Sequence, residues 1–275
     1  MTWRVPPPPL FNSMKIIQVK NLVKNFKEIK AVSDISFDVE EGEIFALLGP
    51  NGAGKSTTIK ILTTLLQATA GEVFINGFDI KKDPDDIRRS FGIVFQDPSL
   101  DDELTAYENM SFHGSLYGVD KKVRTERIQQ LLNMVDLWDR RDDLVKHFSG
   151  GMKRRLEIAR GLLHHPKIIF LDEPTIGLDP QTRNHIWDYV KKLNKDEGIT
   201  VVFTTHYMDE AEKVSDRIVI VDHGKIVKGG TSEELKREAM ANSLEEAFLH
   251  FTGYDLREES ATNIDRMRTI KRRHR

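Results

Sequence analysis

Residues 44–56 read Ile44-Phe45-Ala46-Leu47-Leu48-Gly49-Pro50-Asn51-Gly52-Ala53-Gly54-Lys55-Ser56. Five apolar residues in a row, with no polar alternation, predict a strand buried on both faces. The eight residues after them fit G-x-x-x-x-G-K-[ST], a loop whose glycines let backbone N–H groups turn inward on phosphate oxygens. Ile59, Leu62 and Leu66, with Ile61 and Leu65 beside them, then recur at helical spacing. The loop therefore opens a helix, and a helix N-terminus favours anions. Four fixed positions match by chance in roughly one chain of this length in a hundred at average residue usage. The strand before and the helix after make chance a poor account. Lys55 is placed to reach the β- and γ-phosphates of a nucleotide, and Ser56 to bind Mg²⁺. Thr57, the next residue, completes the candidate ATP-binding stretch that begins at Gly49.

Outward from this stretch, strand and helix patterns alternate. Gly92 to Phe95, Ile168 to Leu171, Thr200 to Thr204 and Ile218 to Val221 read as further buried strands. One helix carries Met152, Leu156, Ala159 and Leu163. Another carries Ile186, Tyr189, Val190 and Leu193, with Gly198 beyond its end. The expected fold is α/β with a largely parallel sheet. Two regions break the rhythm. Residues 15–45 and 72–80 read as short strands with turns, an antiparallel β subdomain. Residues 98–162 read as an inserted helical subdomain, with Ile128, Leu131, Leu132 and Val135 at helical spacing. Asp222-His223-Gly224-Lys225 predicts a hairpin, and Thr231-x-x-Glu234 and Ser243-x-x-Glu246 predict capping boxes on two final helices.

In open α/β sheets, ligands gather at the carboxyl ends of the strands. The buried runs end in Asp172-Glu173-Pro174, in Gln96 and in His206. Each has a plain alternative: adjacent acids often cap helices, and a lone Gln or His is more often a satisfied loop residue. On one rim with Lys55 they make a coherent set. Ser56, Gln96 and Asp172 offer oxygens to a hard cation bound to phosphate. Glu173 is the candidate base for a water attacking the γ-phosphate. His206 is the candidate sensor of that phosphate.

The 275 residues are enough for one sizeable core, and the formal net charge of −2 argues against a nucleic-acid partner. There is no cysteine, which excludes disulfides and thiolate metal sites. No apolar run approaches the ~18 residues needed to span a bilayer, and the N-terminus lacks a signal peptide's apolar core. Residues 1–13, with Pro6-Pro7-Pro8-Pro9, are expected to be a disordered tail, and the basic run 266–275 another.

With these residues in place the chain resembles the ATP-binding cassette (ABC) ATPases from about Lys15 to Gly230. Phe148-Ser149-Gly150-Gly151-Met152 matches the family signature, and Gly177-Leu178-Asp179-Pro180 resembles its D-loop. Phe26 stands where the family places an adenine-stacking Tyr. The resemblance implies a P-loop NTPase domain over 14–230, its helical subdomain at about 98–162, and a C-terminal helical extension over 231–265. It implies a head-to-tail homodimer, or a pair with a paralogous ATPase. Ser149, Gly150, Gly151 and Met152 of one copy would close on ATP and Mg²⁺ held by the other, with Asp179 coupling the two. The signature also makes physical sense alone: Ser149-Gly150-Gly151 opens a helix, a second anion-binding start where one nucleotide needs both.

Arg141 to Arg183, and Leu244-Glu245-Glu246-Ala247-Phe248-Leu249, are most similar to exporter ATPases of the daunorubicin-resistance type. That implies an integral membrane permease as partner and a cytoplasmic place on the inner face of the cell membrane. Catalysis would fall to Glu173, His206 and Gln96, with Gln96 also relaying motion to the permease. An importer motor is a rival, although importers often add a C-terminal regulatory domain that is not evident here. So is a soluble ABC ATPase of cofactor assembly.

Overall fold

The computed structural model describes residues 15–253. Expectations for residues 1–13, for 254–265 within the C-terminal extension and for the basic run 266–275 lie outside the described residues. In chain order the elements are β1 (Lys15–Phe26), β2 (Ile29–Glu40), β3 (Ile44–Leu48), α1 (Lys55–Leu62), β4 (Ala70–Ile75), β5 (Phe78–Asp79), α2 (Pro84–Ser90) and β6 (Phe91–Val94). Then come α3 (Ala106–Leu116), α4 (Lys121–Met134), two short 3-10 turns, α5 (Gly150–Gly161), β7 (Ile168–Asp172), α6 (Pro180–Glu197), β8 (Thr200–Thr205) and α7 (Met208–Val214). The last are β9 (Arg217–Asp222), β10 (Lys225–Gly230), α8 (Ser232–Glu238) and α9 (Leu244–Thr252).

Two sheets result. One has the order β10-β9-β3-β8-β7-β6, parallel except for β10, which returns antiparallel through the hairpin at His223-Gly224. The other is antiparallel, in the order β2-β1-β4-β5. The uninterrupted apolar runs now have their cause. On β3, Ile44, Ala46 and Leu48 face a core shared with α3–α7, while Phe45 and Leu47 face a second core shared with α1 and the antiparallel sheet. β7 divides likewise, Ile169 and Leu171 one way and Ile168 and Phe170 the other. With each large side chain contributing about 1.5–3 kcal/mol on burial, a strand between two cores has no position to spare for a polar residue. Only its carboxyl end is free to carry one.

Three expectations are corrected. β1 and β2 are long strands of 12 residues each, not short ones. Bulges along their pairing interrupt the alternation that sequence reading relies on. β6 ends at Val94, so Gln96 lies beyond the strand, in a turn, rather than at its end. At α9 only half a capping box forms. Ser243 accepts from the Glu246 N–H, but the Glu246 carboxylate accepts from the Asn242 N–H, one residue upstream. At Thr231 the box is complete.

Candidate functional site

The loop between β3 and α1 is fixed at both ends. Gly49 N–H donates to the Thr205 carbonyl at 3.2 Å, and Gly224 N–H donates to the Ala53 carbonyl at 3.0 Å. Gly54 caps α1 with φ 101°, and a Cβ there would sit 2.5 Å from the Ala31 carbonyl oxygen, so only glycine fits. Asn51 and Gly52 are exposed, Pro50 is half-buried, and Gly49 and Ala53 are buried. Thr57 lies half-buried on the first turn of α1.

Lys55, the first residue of α1, is 4% exposed. Its ammonium donates to the carbonyls of Gly49 at 2.8 Å and Pro50 at 3.1 Å, and pairs with Glu173 Oε1 at 3.2 Å. Burial lowers its pKa, opposed by the charge and hydrogen bond of Glu173. Glu173 Oε2 lies 3.4 Å from His206 Nδ1, the outer limit of a hydrogen bond, so the contact is chiefly electrostatic. Burial works to raise the Glu173 carboxyl, but His206 and Lys55 together outweigh it and hold the group below its ordinary value. Next to it, Asp172 Oδ1 accepts from Ser56 Oγ at 3.0 Å and from Thr204 Oγ1 at 2.6 Å. Ser56 and Asp172 line a cavity of about 270 Å³ with Lys60, Phe95, Gln96 and Asp97. The fold thus brings Lys55, Ser56, Gln96, Asp172, Glu173 and His206 to one rim.

The other candidate residues belong to neighbouring elements. Ser149 caps α5, accepting from the Met152 N–H at 3.2 Å. Ser149 and Gly150 are exposed, Gly151 is buried and Met152 half-buried. The Gly151 Cα faces α6, and a Cβ added there would come 2.4 Å from Thr182 Cγ2. Asp179 caps α6, accepting from the Thr182 N–H at 3.0 Å and hydroxyl at 2.6 Å, and these bonds hold its carboxyl below the ordinary range. Phe26 ends β1 in the other sheet. The residue is 42% exposed, with Lys24 Nζ 5.0 Å from the ring centroid.

Residues 32–176, which include the phosphate loop, the Ser149–Gly151 turn and Asp172–Glu173, match the model of the family described as ABC transporter. This chain belongs to the ABC transporter family. It is 43% identical over 230 residues to the daunorubicin/doxorubicin resistance ATP-binding protein DrrA of Streptomyces peucetius, covering 84% of this chain and 69% of that protein. It is 43% identical over 220 residues to the linearmycin resistance ATP-binding protein LnrL of Bacillus subtilis, covering 80% of this chain and 70% of that one. Among solved structures it is similar to a dimeric ATP-binding cassette, MJ0796, in a post-hydrolysis state bound to ADP and Pi. There the TM-score is 0.70 at 33% identity, over 78% of this chain and 98% of that one. The fold and activity of an ATP-hydrolysing cassette follow.

Within the cassette, several polar residues support the rim without having stood out in the sequence. Thr204 joins its two acids: while its hydroxyl donates to Asp172, the Glu173 N–H donates to that same oxygen at 2.9 Å. Arg154 and Glu157, both buried on α5, hold the turn around Gln96. Arg154 donates to the Phe95 carbonyl at 2.5 Å and to the Gln96 carbonyl at 3.0 Å, and Glu157 accepts from the Ser99 N–H at 2.7 Å. These bonds tie the signature helix to the Gln96 turn. Little in the sequence marks them: Arg154 and Glu157 lie across α5 from the Met152, Leu156, Ala159 and Leu163 stripe, and Thr204 stands at the end of a buried strand.

Proposed function

We propose that this chain is the ATP-binding and hydrolysing subunit of an exporter, acting as one of a pair of cassettes and driving a separate integral membrane permease. One observation carries the reading. The Ser149-Gly150 turn is exposed at the start of α5, free to meet a second copy, while the Lys55–Glu173–His206 rim occupies a different part of the same chain. The names of the two resistance ATP-binding proteins favour an exporter over the importer or soluble alternatives.

The roles follow from the donor set. A phosphate entering the loop meets N–H groups, the N-terminus of α1 and the Lys55 ammonium, and competes with Glu173 for that ammonium. Ser56 and Asp172 fit Mg²⁺, which is bound through one or two protein oxygens together with phosphate oxygens and water. When bound, that ion supplies charge neutralisation at the β- and γ-oxygens. Glu173, its carboxyl held below the ordinary range, orients a water and takes its proton, and His206, beside it, would meet the same γ-phosphate. The Ser149 turn of a second copy would complete the grip. ATP then favours the closed pair and ADP the open one, the differential affinity that moves the helical subdomain and, through the Gln96 turn, the permease. Among the described residues no helix is long and apolar enough to cross a membrane. In this reading the chain sits on the inner face of the cell membrane through its partner.

The test is Glu173→Gln. Turnover should fall about 10²–10⁴-fold, the usual worth of a general base, while ATP affinity is retained. Unimpaired turnover would refute the role.

A further inference from the structure

We propose that Glu210 is a positioning residue that ties the Asp179 loop to the two hydrolytic side chains, Glu173 and His206. The proposal rests on the roles just given to those two. Glu210 lies on α7 and is 3% exposed. An ionised carboxylate placed there for packing alone would be costly. Instead it has partners from three separate segments. Thr175, two residues after Glu173, donates its hydroxyl to Oε1. Thr205, the residue before His206, donates its hydroxyl to Oε2 at 2.9 Å. Arg183, on the first turns of α6, brings Nε to 3.4 Å from Oε1.

These bonds bracket the catalytic groups. Thr205 Oγ1 also accepts from the Tyr207 N–H at 3.0 Å, and the Thr205 carbonyl accepts from Gly49 N–H. The backbone on both sides of His206 is thereby held, and held to the phosphate loop. On the other side, the Ile176 N–H donates to the Glu173 carbonyl at 3.3 Å, closing the turn that Thr175 anchors. Arg183 belongs to the helix that Asp179 caps, its own N–H donating to the Asp179 carbonyl at 3.0 Å.

The Arg183 link is the softest of the three. Its Nε is buried, close enough for an ion pair but not aligned as a hydrogen bond, and its guanidinium lies 4.3 Å over the Tyr207 ring. Closed to ~2.8 Å it would become a charge-assisted hydrogen bond, a class roughly twice as strong as neutral ones. A small approach of α6 toward α7 would therefore draw Glu210, and with it Thr175 and Thr205, into a tighter frame. A partner cassette pressing on the Asp179 loop supplies such an approach.

The experiment compares the full chain with Glu210→Gln, Arg183→Gln and the double variant, measuring single-turnover ATP hydrolysis and ATP Kd separately. Glu210→Gln should lower kcat about tenfold, the worth of one hydrogen bond to a charged group, with Kd unchanged within about twofold. The double variant should fall no further than the worse single, because Arg183 acts through Glu210. Wild-type kcat in Glu210→Gln, a Kd that weakens in step with kcat, or multiplying effects in the double variant would each overturn the proposal.

If Glu210→Gln does not fold, Thr205→Val and Thr205→Ser carry the test. The valine should lose kcat and the serine, which keeps the hydroxyl, should regain it; equal rates would overturn the proposal. Glu173→Gln is run alongside. Full turnover there refutes the base assignment itself, whereas loss there with full activity in Glu210→Gln refutes only the positioning role.

Discussion

Glu173 has a backbone that suits glycine better than glutamate: its φ is 48°, in the left-handed region. Such conformations cost of order 1–3 kcal/mol and persist where the surroundings over-determine them. Thr204 is that surrounding, accepting the Glu173 N–H on its carbonyl at 3.2 Å and on its hydroxyl at 2.9 Å. Thr204→Val should cost about 1–3 kcal/mol by leaving buried polar groups unpaired and should lower turnover; denaturant unfolding and hydrolysis rates check both. Thr204→Ser should recover most of each.

The charge on Glu173 makes a separate prediction. Because its folded-state pKa is depressed by His206 and Lys55 against the raising effect of burial, its stabilising contribution is present above the unfolded-state value. It is lost as pH falls through the folded one. His206→Ala or Lys55→Met should move the carboxyl upward in a carbon NMR titration, and an unmoved titration would contradict the electrostatic account. At this scale Asp172, Glu173 and His206 were legible because strand ends are where α/β sheets keep their chemistry. Thr204, Glu210 and Arg183 were not. Their roles depend on register, such as Asp172 pairing with Thr204 across β7 and β8, which one sequence does not print.

At the scale of elements, α5 and α6 touch where neither can give. Gly151→Ala would drive a methyl against Thr182, whose hydroxyl serves the cap at Asp179. We expect a loss of about 1–3 kcal/mol from overpacking. Thr182→Ser, which removes Cγ2 and keeps the hydroxyl, should rescue it; no rescue would place the damage elsewhere. The elements themselves were readable where one rule dominates. Continuous apolar runs marked β3, β7, β8 and β9, and Thr231 with Glu234 marked the start of α8. Reading failed where rules compete: the bulged β1–β2 pair hides its length, and at α9 the Glu246 carboxylate reaches past Ser243 to Asn242.

Across the whole molecule, the phosphate rim is built from the parallel sheet and the signature turn from the helical subdomain. Two ties join these parts at a distance from the rim. Arg127 on α4 pairs with Glu197 at the end of α6 at 2.5 Å, and Tyr189 on α6 bonds Asp136 just beyond α4. Arg154 and Glu157 add the tie between α5 and the turn at Gln96. These bonds connect the signature helix to the sheet edge, the path that the proposed relay of motion would use.

The most direct measurement is the mass in solution, by analytical ultracentrifugation, of Glu173→Gln with and without Mg-ATP, set beside the same chain also carrying Ser149→Arg. The account predicts a dimer only with ATP in the first, and a monomer that still binds ATP in the second. A dimer that persists in the chain carrying both substitutions, or a Glu173→Gln chain that stays monomeric at saturating ATP, would contradict it.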